Sequence, residues 1–498
     1  MTILKKLAGQ TALYGLSSMA GRTLNFLLVP FYTGVLAVHE FGIFTYFYSY
    51  VAFLNVVYLF GMETTYFRFA NKDKLKELEV YQSTQTFVML LSLFISGSLI
   101  LFSHSISSLL NYPNNSIYIV WLALIMGIDA LVALPFARLR LENKAGYFAF
   151  AKLTTIGLNI GLNLFFLVFC KGIYEGNYLQ EYLPFIKSFY HPSRDIEYIF
   201  ISNMVANIFM VPLLWKHFVV YRFRWNFEKL KPLLIYGYPL MFMGLAGMVN
   251  EVLDRILLIP FLPENFYPGL SKEDALGIYG GCYKLSMFMT LAIQSFRYAA
   301  DPFFFSKAAD KNAPEVFARV MNWFVVSCCF MFLIISVYSE LIGGLLLRKE
   351  IFKTGLAVVP ILLLANLFLG IYYNLSVWYK LTDRTYWGTW LGIGGALFTI
   401  VGNIFLIPVL GYMGSAYTTL ACYFLMAAVS YIAGDNYFKV PYNLGSIVVL
   451  IGSAVLLVVV GKCIDLNNFW LTQLAYLSLP LVFIGIVFFL KDRRFKIL

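Results

Sequence analysis

Charge is what this chain has least of. Asp, Glu, Lys and Arg make up 13% of its 498 residues, where soluble domains carry roughly 25%, and its mean hydropathy is +0.75. A soluble protein is excluded. The six cysteines (Cys170, Cys282, Cys328, Cys329, Cys422, Cys463) show neither zinc-site spacing nor a disulfide framework and read as small packing residues. No Gly-rich loop with a phosphate-binding Lys occurs, and no segment between apolar runs is large enough for a soluble domain. Both absences argue against a nucleotide-driven pump. No cofactor and no metal is expected.

What is present is apolar sequence in long pieces. Fourteen runs approach or exceed the length a helix needs to cross a bilayer: 11–36, 42–68, 81–103, 117–137, 147–170, 196–215, 233–259, 275–299, 316–339, 354–379, 387–409, 414–433, 444–463 and 470–490. The second, seventh and tenth are interrupted by charges or by Gly and Asn. The runs are continuous rather than alternating, so helices are expected and a barrel is not. The expected fold is all-α and integral to the membrane. Lys5 and Lys6 precede a first run too long for a signal peptide and broken by Arg22 and Asn25, so an uncleaved first helix is expected.

The charges fix an orientation. With the N-terminus inside, and span-end residues counted with the adjoining loops, inside segments hold 25 Lys and Arg and outside segments 8. Net charge is +14 inside and −3 outside. Both termini are expected in the cytoplasm. The overall +11 is topological and does not indicate nucleic acid.

The chain repeats itself. Arg140-Leu141-Glu142-Asn143-Lys144 returns as Lys380-Leu381-Thr382-Asp383-Arg384, and Asn163-Leu164-Phe165 as Asn403-Ile404-Phe405, both at an offset of 240. Asn25 to Phe31 resembles Arg255 to Phe261, and Phe41-Gly42-Ile43-Phe44 resembles Leu276-Gly277-Ile278-Tyr279. These pairs match helices 1 with 7, 2 with 8, and the 4–5 hairpin with the 10–11 hairpin. Two six-helix units of like orientation are the usual build of a transporter. The expected division is an N-lobe over 1–220, a cytoplasmic linker over 221–232, a C-lobe over 233–435, and two further helices with a tail over 436–498.

Charges in mid-span are costly, so each is a candidate site residue. Arg22 lies near mid-depth in helix 1 and Lys284 well inside helix 8. Each suits an anionic group in a cavity, and for Arg22 the bland reading is a partner for Asp129 or Glu63. Glu251 and Arg255 are spaced to pair on one face of helix 7, with Asp254 beside them. They read either as a self-neutralising pair or as a coupling site. Glu63 and Asp129 are the acids best placed to carry a proton. Lys152, a turn or two into helix 5, reads as snorkelling to the surface. Arg68 and Arg297 occupy corresponding places near the inner ends of helices 2 and 8. They read as inner-mouth cations or as ordinary anchors. In the outside loop 171–197, a run of Tyr and Phe reads as an interfacial belt or as a surface that touches a sugar.

The span count, the paired units, the opening from Leu13-Tyr14-Gly15 through Arg22 to Pro30, and Phe41-Gly42-Ile43-Phe44 at the start of helix 2 together resemble the oligosaccharide flippase (polysaccharide transporter) family. That family shares a superfamily with multidrug exporters and lipid II flippases. The resemblance implies two lobes in a V around a central cavity, no enzymatic activity, and export of a polyprenyl-diphosphate-linked oligosaccharide across the bacterial inner membrane. It also implies a basic residue of helix 1 at the cavity, which Arg22 matches. The expected partners are the lipid-linked glycan, membrane lipids and other polysaccharide-assembly proteins. A monomer is expected. The alternative on the same fold is a cation-coupled multidrug exporter, whose site should be dominated by acids, whereas mid-span acids and bases here balance at four each. A membrane glycosyltransferase is less consistent, since the first outside loop offers only His39 and Glu40. A facilitator of the major superfamily is disfavoured by the loop Asn71-Lys72-Asp73-Lys74-Leu75-Lys76.

Overall fold

The computed structural model describes residues 26, 28–72, 76–308, 310–464 and 469–494. Thirteen helices among them are long and apolar enough to cross a membrane. Each coincides with one of the expected runs from the second to the fourteenth. The first run, 11–36, lies mostly outside the described residues, and its described end holds a short helix, Val29–Val35.

The second run is two helices, α1 (Val38–Leu59) and α2 (Met62–Lys72). The other spans contain α3 (Glu77–Leu101), α4 (Ser116–Leu141), α5 (Ala145–Leu164), α6 (Asp195–Leu213), α7 (Phe227–Phe261), α8 (Lys272–Lys307), α9 (Ala313–Val337), α10 (Val358–Leu375), α11 (Tyr386–Leu410), α12 (Tyr412–Tyr437), α13 (Leu444–Cys463) and α14 (Phe469–Arg494). Hydrocarbon offers no hydrogen bonds, so each span closes its own backbone ladder. Internal prolines such as Pro135 and Pro408 are tolerated where neighbours compensate.

Two of the three interrupted runs do break. Phe60 and Gly61 are both left-handed, with φ of 49° and 69°, between α1 and α2. In the tenth run Ser376 separates α10 from Val377–Leu381. The seventh does not break, and α7 starts earlier than its apolar run because Phe227–Lys231 already coil. The outside loop is not all belt. Tyr182 and Phe185 are exposed, whereas Tyr190 is fully buried, stacks on Tyr198 and donates to Asp195.

The chain forms two compact units, Met1–Met248 and Val249–Leu498, and the division falls within α7. In the first, α4 is the central helix and packs on α1, α2, α3, α5 and α6. Its core joins Val132, Phe136 and Leu139 to Phe148 and Ala151 of α5 and to Met210 and Leu214. In the second, α10 is central, against α8, α9 and α12, with α11 on α12 and the α13–α14 pair on α9.

The sequence repeat is also a repeat of local geometry. Asn143 and Asp383 are left-handed, with φ of 58° and 54°. The following amides, of Lys144 and Arg384, close onto the carbonyls of Leu139 (2.9 Å) and Tyr379 (2.8 Å). This is the hydrogen-bonded turn that ends a helix when one residue adopts the left-handed form. Asn163 and Asn403 are both fully buried. Each donates its side-chain amide to the carbonyl four residues back, on Asn159 and Thr399, at 2.8 Å.

The break in the second span sits where another backbone passes close. A Cβ on Gly61 would lie 2.7 Å from the Gly237 carbonyl oxygen, and one on Gly237 would lie 2.8 Å from that of Phe60. Two turns on, a Cβ on Gly244 would lie 2.9 Å from Val56. Small residues let membrane helices approach this closely. Gly61→Ala therefore combines left-handed strain with a backbone clash. It should lower unfolding stability in detergent by about 2–4 kcal/mol. Gly97→Ala, which adds a methyl in open space, should leave the melting temperature unchanged.

Candidate functional site

Two clusters of charge inside the spans carry the chemistry, one in each unit. In the first unit a cavity of about 300 Å³ opens between the α1–α2 break, α4 and α5, lined by Asn55, Tyr58, Glu63, Asp129, Arg140 and Lys152 among others. Asp129, Ala133, Phe136 and Arg140 recur every three or four residues and so share one face of α4. Glu63 stands in the first turn of α2, where the partial positive charge of a helix start favours an acid. It pairs with Arg140, whose guanidinium lies 5.0 Å from the Phe67 ring. Lys152 projects from α5 with its ammonium 4.4 Å from the Phe136 ring. Asp129 and Lys152 feel each other's charge without touching. Among the described lining residues formal charge sums to zero.

In the second unit α7 is fixed by Asn250. Its side chain donates to the Gly392 carbonyl (3.2 Å) and accepts from Thr399 (3.1 Å), and its own carbonyl accepts from Tyr423 (3.0 Å). One turn on, Asp254 is buried and accepts from Tyr279 of α8. Arg255 lies over Tyr283, with 3.6 Å from guanidinium carbon to ring centre. Its Nε is 4.0 Å from Asp254, and its Nη2 is enclosed without a hydrogen-bond acceptor. Lys284 follows Tyr283 on α8, half-buried, with Arg255 as its electrostatic neighbour. No carboxylate among the described residues pairs with it. Arg297 lies 3.9 Å over Tyr373 of α10. Glu251 is exposed on α7. Tyrosine faces thus hold both guanidinium groups by cation–π attraction, and among the described residues Arg255 keeps its Nη2 without an acceptor.

The expected residues divide accordingly. Glu63 and Asp129 share the first cavity, while Asp254, Arg255 and Lys284 gather in the second unit, with Glu251 on the same helix as Asp254 and Arg255, and Arg297 lies about 20 Å farther along α8 from Lys284. Arg68 joins neither group. It is exposed and stacks on Tyr236 at 4.2 Å. Arg22 lies outside the described residues. The i,i+4 pairing of Glu251 with Arg255 does not form, because Arg255 turns to Asp254 and Tyr283. Lys152 does not snorkel away; it lines the cavity. Arg140 was visible only as part of the repeated hairpin. Its partner lies 77 positions away in sequence, beyond any local spacing rule.

Beneath the first cavity lies a second charged layer that spacing alone did not indicate. Arg138 bridges Glu77 (3.3 Å) and Glu142 (3.2 Å), and Glu142 also meets Lys144 (2.6 Å) and His217 (3.4 Å). Burial alone would raise the Glu142 carboxyl, but Lys144 and His217 outweigh it and hold it below the usual carboxylate range. Burial pushes the His217 imidazole below its ordinary value, more than Glu142 can restore.

A family described as "Polysaccharide biosynthesis protein" matches residues 34–175. No curated protein matches the sequence. Among solved structures, one described as "Lipid II flippase MurJ, inward closed conformation" superposes with a TM-score of 0.72 at 13% identity, covering 96% of this chain and 99% of that one. An inward-facing multidrug resistance MATE family transporter of the MOP superfamily gives 0.59 at 13%, covering 86% and 94%. A mutant of the Vibrio cholerae MATE transporter VcmN gives 0.54 at 14%, covering 87% and 96%.

Two outcomes follow from this geometry. Glu63→Gln and Arg140→Gln, made singly, should each cost about 1–3 kcal/mol by stranding the partner, and the double variant should recover most of the loss. Thermal melts of the four proteins in one detergent measure the coupling. Because folded His217 takes up its proton at lower pH than the unfolded chain, its contribution is complete above about pH 6.5 and is lost as pH falls below that value. His217→Gln should flatten that part of the stability–pH curve, read as melting temperature from pH 7.5 to 5.

Proposed function

Since the chain has the fold of the MOP (multidrug/oligosaccharidyl-lipid/polysaccharide) exporter superfamily, we propose that it is a flippase. Its cargo is a polyprenyl-diphosphate-linked oligosaccharide, moved from the cytoplasmic to the outer leaflet of the bacterial inner membrane for cell-surface polysaccharide assembly. The observation that carries this reading is Lys284. It is a cation inside a span with no carboxylate partner among the described residues, next to an arginine with an unsatisfied Nη2. Such an arrangement is costly in hydrocarbon and is retained where a ligand completes it.

The physical obstacle to flipping is the head group. A diphosphate and a hydroxyl-rich glycan cannot enter hydrocarbon unaided. Arg255 offers its fork of donors to phosphate oxygens and Lys284 a compact charge. Tyr283 and Tyr373 offer flat faces to sugar rings. The polyprenyl chain stays among lipids. Exposure of the site first to one side and then to the other moves the head group without chemistry, so no catalytic residue and no cofactor is required. Arg22 would add a further cation, and Arg68 and Arg297 would attract anionic head groups at the cytoplasmic mouth. The working division is an N-lobe over 1–220, a linker over 221–232, a C-lobe over 233–435 and appended helices over 436–498. Both termini are cytoplasmic on the charge balance. The working unit is a monomer that meets other polysaccharide-assembly proteins.

A second reading, cation-coupled export of a drug, has one observation in its favour: the Asp129 carboxylate lines the first cavity without a hydrogen-bond or ion-pair partner among the described residues. The two readings separate in cells. Deletion should cause the lipid-linked oligosaccharide to accumulate on the inner leaflet, and Lys284→Ala at normal protein level should reproduce about tenfold of that loss of flux. Unchanged intermediate and surface glycan, with new sensitivity to cationic dyes, would support drug export instead.

A further inference from the structure

A cavity of about 1040 Å³ lies within the second unit, and its lining includes no residue of either charge cluster. It is formed where α9 ends, α13 ends and α14 begins, and is closed by the short helices Ser339–Leu346 and Glu350–Lys353. Three spans terminate here, so the cavity stands at head-group depth. On the orientation set by the charges, this is the outer leaflet.

Its lining has two characters. Leu341, Leu345 and Leu356 make an apolar wall, and Leu456 and Leu477, farther along α13 and α14, are exposed. The polar side carries Lys462 and Glu340, both exposed, neither with a hydrogen-bond or ion-pair partner among the described residues. Beside them Lys353 and Glu350 satisfy each other at 2.6 Å. Tyr338 and Tyr476 meet edge to face at 5.8 Å. Also in the lining, Ser336 is 1% exposed and its hydroxyl has no partner among the described residues.

We infer that this cavity is a binding site for a zwitterionic phospholipid with a primary ammonium, a phosphoethanolamine head group. One unpaired cation and one unpaired acid in a single cavity match a head group carrying one phosphate and one ammonium. A purely anionic lipid would satisfy Lys462 and set its phosphate against Glu340. A choline head group would present methyl groups where Glu340 accepts hydrogen bonds. The acyl chains then follow the exposed leucines of α13 and α14, where apolar surface needs cover. The bound lipid wedges the α13–α14 pair against α9. This site is separate from the clusters assigned to transport, so its test does not depend on that assignment.

The test is native mass spectrometry of the full-length protein, delipidated and titrated with phosphatidylethanolamine, phosphatidylcholine or phosphatidylglycerol of identical chains. The first lipid bound should be phosphatidylethanolamine, preferred roughly tenfold over the other two, as two weak ion pairs acting together allow. Glu340→Gln should reduce phosphatidylethanolamine to the level of phosphatidylcholine. Lys462→Gln should weaken all three. Neither side chain has a partner to lose among the described residues, so both variants should melt as wild type does. Equal binding of the three lipids, a preference for phosphatidylglycerol, or a preference that survives both substitutions would overturn the inference.

Discussion

An ionised side chain inside a bilayer must be kept from hydrocarbon, and most of the local structure follows from how this chain meets that requirement. The first unit meets it by neutralisation. The left-handed pair Phe60 and Gly61 interrupts the second span, so a fresh helix begins just before Glu63, and Arg140 at the end of α4 reaches it. The same interruption lets α7 approach through Gly237. The second unit meets it by stacking. Arg255 and Arg297 lie on tyrosine faces, and Arg255 Nη2 keeps its donors free among the described residues. Ion pairing closes a site, whereas stacking leaves it able to accept an anion.

The spans were legible because the bilayer imposes them one helix at a time. An apolar run of sufficient length needs no knowledge of its neighbours. The repeat was legible for a similar reason. Asn143 and Asp383 end helices by the same left-handed turn, and Asn163 and Asn403 make the same internal bond, so local chemistry survived although most of the sequence drifted. The interruption of the second and tenth runs was visible in composition, but the places where they break were not.

The partners of the charges were not legible. Which residue faces which depends on the rotation of each helix about its axis, and an apolar-all-round helix encodes that rotation weakly. Arg140 therefore looked like one more positive residue of a hairpin, and Lys152 like a snorkelling one, although both line the cavity with Asp129. The spacing of Glu251 and Arg255 pointed to a pair, but Asp254 and Tyr283 lie closer to where the arginine points. Local spacing predicts a contact only when no better partner arrives from another helix.

The contrast between the charge-balanced described lining of one cavity and the unpaired cation Lys284 in the other unit underlies the proposal of an anionic cargo. Its most direct test is transport in liposomes containing the purified protein and two fluorescent lipids with the same glycan, one joined through a diphosphate and one through a neutral linkage. The account predicts that the diphosphate lipid crosses, that the neutral lipid does not, and that Arg255→Ala with Lys284→Ala abolishes the difference. Equal transport of the two lipids by the wild-type protein would contradict it.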